Sequence, residues 1–374
     1  MRQNDPFLCP ETESAWPMLT RRGFLAAAAM PAIGAASLNT MASPALAQPA
    51  KRRIPFGSAS MIQTLRADPL YGEALVRHCD IIVPMNCLKW EQLRHDRNGF
   101  DTGDADTQIA FAQKHGKSVR GHVLVWGLAL PNWTKTISSK ASAERELTNH
   151  IRTVMTKFRG RIPSWDVVNE AISDNPDKES PYRDSIWLER LGPGYVDLAF
   201  KTAAEADPSA KLVLNDYNLE NNDDATRARR RALIALVKRL KDKGIPIHGV
   251  GLQSHLYLEK PIDRDGLARF VSDLDKLGMD ILITELDVID WRMPADIATR
   301  DMAAAKHVTS FLEAVGSAKL PSSIVTWGLS DKYSWVGETF KRDDRLAARP
   351  LPFDVAYKPK PMWRAIESFC AAKA

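Results

Sequence analysis

From residue 54 to the C-terminal end, short apolar runs alternate with longer amphipathic ones. The short runs are "IPFGSA" at 54, "CDIIVPMN" at 79, "SVRGHVLVW" at 118, "PSWDVVNE" at 163, "KLVLNDYN" at 211, "HGVGLQSHL" at 248, "DILITELD" at 280 and "SIVTWGLSD" at 323. Their length and β-branched content predict strands buried on both faces. Between them lie segments with helical period, such as "ADTQIAFAQKHG", "ERELTNHIRTVMTKFRG", "GYVDLAFKTAAEADP", "GLARFVSDLDKLG" and "DMAAAKHVTSFLEAVG", several ending on Gly or Pro. Eight strands alternating with helices in a chain of 374 residues predict an α/β fold, a closed (β/α)8 TIM barrel in a single domain, rather than an open sheet. No repeat, linker or low-complexity tract interrupts the pattern.

The barrel reading requires polar residues to collect at the C-terminal ends of the strands, where active sites of this fold sit. They do: Asn86, His122, Asn169 with Glu170, Asn215 with Asp216, Gln253 with His255, Glu285 with Asp287, and Trp327 all fall late in their runs. Taken alone, Glu170 could simply open a solvated loop after Val168. The repeat of the same pattern at Glu285, after Ile281, Leu282 and Ile283, favours a shared site instead.

Two opposed carboxylates, one from the fourth strand and one from the seventh, are what glycoside hydrolysis requires: a protonated acid for the leaving oxygen and an ionised carboxylate opposite it. Their environments must push their pKa values apart. By strand position His255 and Asp287 are placed to hydrogen-bond Glu285 and keep it ionised, and Trp126 and Trp327 to wall the site. Ten tryptophans offer stacking faces for sugar rings, although Trp165 and Trp187 read as core packing.

Composition changes this picture little. The net charge of +5 arises from 51 basic and 46 acidic residues without a long basic block, which leaves nucleic-acid binding unsupported. The densest run, "RARRR" at 227, lies in an amphipathic helix and is expected on its solvated face. At the other end, "TRRGFLAAAAMPAIGAASLNTMASPALA", with Arg21 and Arg22 and an A-x-A ending at Ala47, reads as a twin-arginine export signal over residues 1–47. Met18 is the alternative start, and residues 48–374 form the catalytic domain. The expected address is periplasmic or secreted, with no membrane attachment after cleavage and a monomeric protein. Cys79, Cys87 and Cys370 have no metal-ligand spacing; a Cys79–Cys87 disulfide is open but not required.

"WDVVNEA", "LNDYN", "GVGLQSHL", "ITELDV" and "TWGLSDKYSW", in this order, resemble the strand-end motifs of family ten glycoside hydrolases, the retaining endo-β-1,4-xylanases. The resemblance runs from about Phe56 to Phe369 and includes "FGSA", "VPMNCLKW", "RGHVLVW" and "RPLPFDVAYKPKP". It implies Glu170 as acid/base, Glu285 as nucleophile, Asn169 on the sugar 2-hydroxyl, and His255 and Asp287 as tuners of the nucleophile. It also implies that Asn86, Lys89, His122, Trp126, Gln253, Trp327 and Trp335 line the glycone side. The implied partner is a polysaccharide or oligosaccharide substrate, with no metal and no organic cofactor.

Two departures cluster. Where the family pattern reads Pro-Glu-Asn, this chain has Pro84, Met85 and Asn86; where it reads Trp-His-Ser-Gln, the chain has Trp126, Gly127, Leu128 and Ala129. The resemblance places the lost Glu and Gln one sugar beyond the reacting one, so a weakened or altered distal glycone subsite is expected. Two other classes stay open at this point. Glu170, His255, Glu285 and Asp287 could hold a divalent metal, although no paired-His ligand motif accompanies them. A carbohydrate-binding barrel without turnover is the second, against which stands the presence of both glutamates.

Overall fold

Parallel strands buried on both faces must be covered by helices outside and side chains inside, and the apolar runs meet both demands. The computed structural model describes residues 54–177 and 180–371. Its strands are β1 (Phe56–Ser60), β2 (Ile81–Pro84), β3 (Ser118–Gly121), β4 (Ser164–Asn169), β5 (Lys211–Asp216), β6 (Gly249–Leu252), β7 (His255–Tyr257), β8 (Asp280–Ile289) and β9 (Ser323–Thr326). Every ladder is parallel. The order β6-β5-β4-β3-β2-β1-β9-β8 closes through β6–β8 pairing, giving the eight-stranded barrel that the sequence predicts.

β7 is the departure. "HGVGLQSHL" is two strands, because Ser254 takes a left-handed φ of 64° between them and turns the chain off the barrel. β7 then continues beside the far half of β8, pairing His255 with Asp287. β8 itself runs two residues past Asp287 to Ile289.

Helices return each strand to the next, and their starts follow ordinary capping chemistry. Ser139 and Ser142 form a reciprocal box at the head of Lys140–Phe158, and the Asp223 side chain accepts from Thr226 N at the head of Asp224–Asp242. Trp165 packs face-on against Gly121, where a Cβ would come within 2.2 Å of the indole ring, so only glycine fits there. Trp165 and Trp187 are both fully buried, in line with a packing role. Cys79, Cys87 and Cys370 are buried, and no Cys79–Cys87 bridge is formed.

The "RARRR" run corrects the sequence reading. Arg227 and Arg231 face solvent, but Arg229 and Arg230 are buried. Arg229 donates to Tyr217 O, Ser173 O, Asp174 and Asp216, and Arg230 to Leu219 O and Asp263. The helix thus uses two of its arginines to tie down the loops that follow β4 and β5. The leader at residues 1–47 lies outside the described residues. Among the described residues no helix is long and apolar enough to cross a membrane.

Candidate active site

Each strand that delivers a key glutamate carries an irregularity at or just before it. β4 bulges between Asp166 and Val168, which brings Asn169 level with Asn215 of β5. β8 shifts register between Ile283 and Leu286, around Glu285. A bulge inserts a residue into one strand and re-aims the side chains beyond it. Both glutamates consequently turn into the barrel mouth, and Glu170 is held there with φ 55°, a strained value for a non-glycine residue.

Glu170 is 6% exposed and surrounded by donors. Its Oε2 accepts from Trp126 Nε1 at 2.9 Å and from Arg183 Nη1 at 2.8 Å. Its Oε1 accepts from Gln253 Nε2 at 3.1 Å and Asn169 Nδ2 at 3.2 Å. Burial pushes its pKa up, Asp216 adds to that, and Arg183, Gln253 and Trp126 offset only part; the net direction is upward.

Glu285, 4% exposed, goes the other way. Burial raises its pKa, but the hydrogen bond from His255 and the charges of His122 and His255 outweigh it, leaving the carboxyl below its ordinary range. His255 Nε2 stands 3.5 Å from Glu285 Oε2 and Nδ1 stands 2.8 Å from Asp287 Oδ1. Burial disfavours the imidazolium, yet Asp287 and Glu285 push the pKa of His255 up to about 10, which favours the imidazolium beside Glu285.

Asp287 does not bond Glu285 directly. It reaches it through His255, while its Oδ2 accepts from Trp335 Nε1 at 2.7 Å. This differs from the expectation that both His255 and Asp287 bond Glu285, because the two Asp287 oxygens are taken by His255 and Trp335.

The remaining candidates fall around the same mouth. His122 Nδ1 pairs with Asp166 at 3.0 Å, and Asp166 in turn holds Arg120. Lys89 Nζ donates to Asn86 Oδ1 at 3.0 Å and lies 5.3 Å from the Trp126 ring centroid. Trp327 meets the His122 ring edge-on at 5.1 Å, and Trp335 meets His255 in the same way. Met85 joins Trp327 and Trp335 in a small apolar cluster with Ala59, Val83 and Val325.

Four contributors were absent from the sequence-based set. Asn215 was noted only as a polar strand end; its Nδ2 donates to Asn169 Oδ1 at 2.8 Å and to Glu285 Oε1 at 2.7 Å. Tyr217 and Arg183 extend the Glu170 shell, with Arg183 Nη1 donating to Tyr217 OH at 2.7 Å. Trp187 is core, yet its Nε1 donates to Trp126 O at 2.9 Å and so fixes the loop carrying that indole. Among the described residues no group of three or more His, Cys, Asp or Glu is disposed to hold a metal ion.

A barrel whose mouth holds two buried carboxylates, one biased to the acid and the other to its anion, belongs to the class that cleaves glycosidic bonds. The chain is a member of glycosyl hydrolase family 10, whose profile matches residues 45–369. It is 34% identical over 329 residues to endo-1,4-beta-xylanase B of Thermotoga neapolitana, covering 88% of this chain and 91% of that protein. It is 33% identical to endo-1,4-beta-xylanase 1 of Humicola insolens, covering 84% and 71%. The fold is similar to xylanase 10B of Thermotoga petrophila RKU-1, solved in complex with xylobiose, with a TM-score of 0.77, 32% identity and coverage of 85% and 94%. It is also similar to the Penicillium canescens endo-1,4-beta-xylanase XylE, with a TM-score of 0.78, 27% identity and coverage of 86% and 96%.

Proposed function

We propose that the protein is a retaining endo-β-1,4-xylanase that hydrolyses xylan or xylooligosaccharides by double displacement. The observation that carries this reading is the opposed bias of the two buried carboxylates, Glu170 toward its acid and Glu285 toward its anion.

In the first step Glu285 attacks the anomeric carbon. The bond from that carbon to the glycosidic oxygen breaks, and Glu170 gives its proton to the departing oxygen. The result is a glycosyl ester on Glu285 and an ionised Glu170. In the second step Glu170 takes a proton from water, whose oxygen attacks the same carbon and releases Glu285. Two inversions give net retention.

His255 stabilises the Glu285 anion before attack, and Asp287 with Trp335 fixes the imidazole that does so. Asn169 holds the sugar 2-hydroxyl, and Asn86, Lys89, His122, Trp126, Gln253, Trp327 and Trp335 line the glycone side. Met85 in its apolar cluster supports the reading of an altered distal glycone subsite, with fewer polar contacts to the second sugar. The Arg21–Arg22 leader supports export by the twin-arginine route to the periplasm or beyond.

The test is the product profile and turnover on unsubstituted xylan and xylooligosaccharides, beside Glu285→Ala at equal concentration. Internal cleavage that the variant abolishes is expected; equal activity in the variant would sink the reading.

A further inference from the structure

We propose that Arg183 is a positioning residue that fixes the Glu170 carboxylate and fits it to its second task, as the base that activates water. The inference rests on the reading of Glu170 as acid/base.

Arg183 owes its place to a hairpin after β4. Ile172 bridges Tyr182, Ser173 N donates to Pro181 O at 2.9 Å, and Arg183 N donates to Ala171 O at 2.9 Å. The side chain therefore leaves a backbone that is pinned one residue beyond Glu170. Its Nη1 divides between Glu170 Oε2 at 2.8 Å and Tyr217 OH at 2.7 Å. Tyr217 OH in turn donates to Asp174 at 2.6 Å, and the Arg229 guanidinium lies 4.1 Å from the Tyr217 ring centroid. The contact is thus braced from the hairpin, from the end of β5 and from the Asp224–Asp242 helix.

The charge of Arg183 matters because the two halves of the reaction ask opposite things of Glu170. Asp216 and Tyr217 face it from the end of β5, Lys89 lies behind Trp126, and Glu285 with its His255 and His122 stands across the mouth. Before attack, burial and Asp216 bias Glu170 toward its acid against the pull of Arg183. Once Glu285 is esterified its charge is gone, and Glu170, which has given up its proton, must stay ionised while still buried. A guanidinium in direct contact with Oε2 stabilises that anion at the moment it is needed. Trp126, Asn169 and Gln253 orient the carboxylate but are neutral; Arg183 is its salt-bridge partner.

The experiment compares wild type, Arg183→Gln, Arg183→Lys and Glu170→Gln. On a dinitrophenyl β-xylobioside the leaving group needs no proton, so kcat/KM reports the first step and kcat the second. Arg183→Gln is expected to lower kcat roughly tenfold while kcat/KM stays within about twofold, with a burst of dinitrophenolate. On xylooligosaccharides the alkaline limb of kcat/KM moves up, since removing the cation favours the protonated acid. At a fixed pH above that limb the variant then keeps about tenfold more of its maximal kcat/KM than wild type. Arg183→Lys keeps the charge and falls between the two. Arg183→Met, which retains the side-chain stem, reads the same quantities if the glutamine variant does not fold.

Equal losses in kcat and kcat/KM for Gln and Lys alike, with an unmoved alkaline limb, overturn the inference. An alkaline limb that persists in Glu170→Gln overturns the assignment of Glu170 itself and the inference with it. A limb lost in Glu170→Gln but unmoved in Arg183→Gln overturns the inference alone.

Discussion

Asn215, fully buried on β5, donates its Nδ2 to Glu285 Oε1 at 2.7 Å across the intervening strand β6. The reach is open because β6 has Gly251 at that level, where a Cβ would come within 2.2 Å of Asn215 Oδ1. Thr284 Oγ1 closes the arrangement by donating to that same Oδ1 at 2.7 Å. The amide thus links Glu285 to Asn169, and through Asn169 to Glu170.

Asn215→Ala removes a donor from an anion and leaves the Thr284 hydroxyl with Leu252 O as its acceptor. Loss of a hydrogen bond to a charged group costs about 1.5–3 kcal/mol, so kcat/KM on an aryl xylobioside is expected to fall roughly ten- to hundredfold. Gly251→Ala, which pushes the amide aside, moves activity in the same direction. Unchanged kinetics in both would remove Asn215 from the site.

In the proposed mechanism the pH profile follows from the two carboxyls, Glu285 as nucleophile and Glu170 as acid/base. Glu285 must be ionised and lies below its ordinary range, so activity persists to lower pH than a free glutamate would allow. Glu170 must be protonated and lies above that range, which carries the alkaline limb upward. His255→Gln removes the cation that favours the Glu285 anion, so the acid limb alone is expected to move up. Steady-state kcat/KM across pH checks the sign; an acid limb that moves down contradicts it.

Met85 offers a gain-of-function test. Met85→Glu replaces a partner of the Trp327 and Trp335 cluster with a polar group at the position where the family pattern has one. An expected gain of about tenfold in kcat/KM on unsubstituted xylotriose, from one restored charged hydrogen bond, contrasts with little change on an aryl xyloside that does not reach that sugar. A lower melting temperature is expected as well, because the carboxylate enters apolar surroundings.

Arg229 and Arg231 form an internal control two residues apart. Arg229→Met strips Asp216 of its buried counter-charge and is expected to cost about 3–5 kcal/mol in urea unfolding. Arg231→Ala breaks an exposed pair with Asp177 and is expected to cost no more than about 1 kcal/mol. Equal effects would show that burial does not separate these arginines.

The barrel was legible because seven of the eight apolar runs also carry a polar or aromatic residue late in the run. Glu170, Glu285 and His255 followed from that alternation and from motif order. Ser254 was not legible, since nothing in "LQSHL" marks a left-handed residue, and so one strand stood for two. Arg229 was legible and missed: it precedes Leu233 by four residues and Leu236 by seven, which puts it on the helix's buried stripe. Arg183 had no local signal. It is a loop arginine whose meaning comes from a hairpin that folds it back thirteen residues onto Glu170.

The most direct test of the central claim is to trap the intermediate with a dinitrophenyl 2-deoxy-2-fluoro-β-xylobioside and map the label by peptide mass spectrometry. A covalent adduct on Glu285, which slowly turns over to the β-anomer, is the expected result. Failure to label, a label on another residue, or an α-configured first product on an unmodified substrate would contradict double displacement between Glu170 and Glu285.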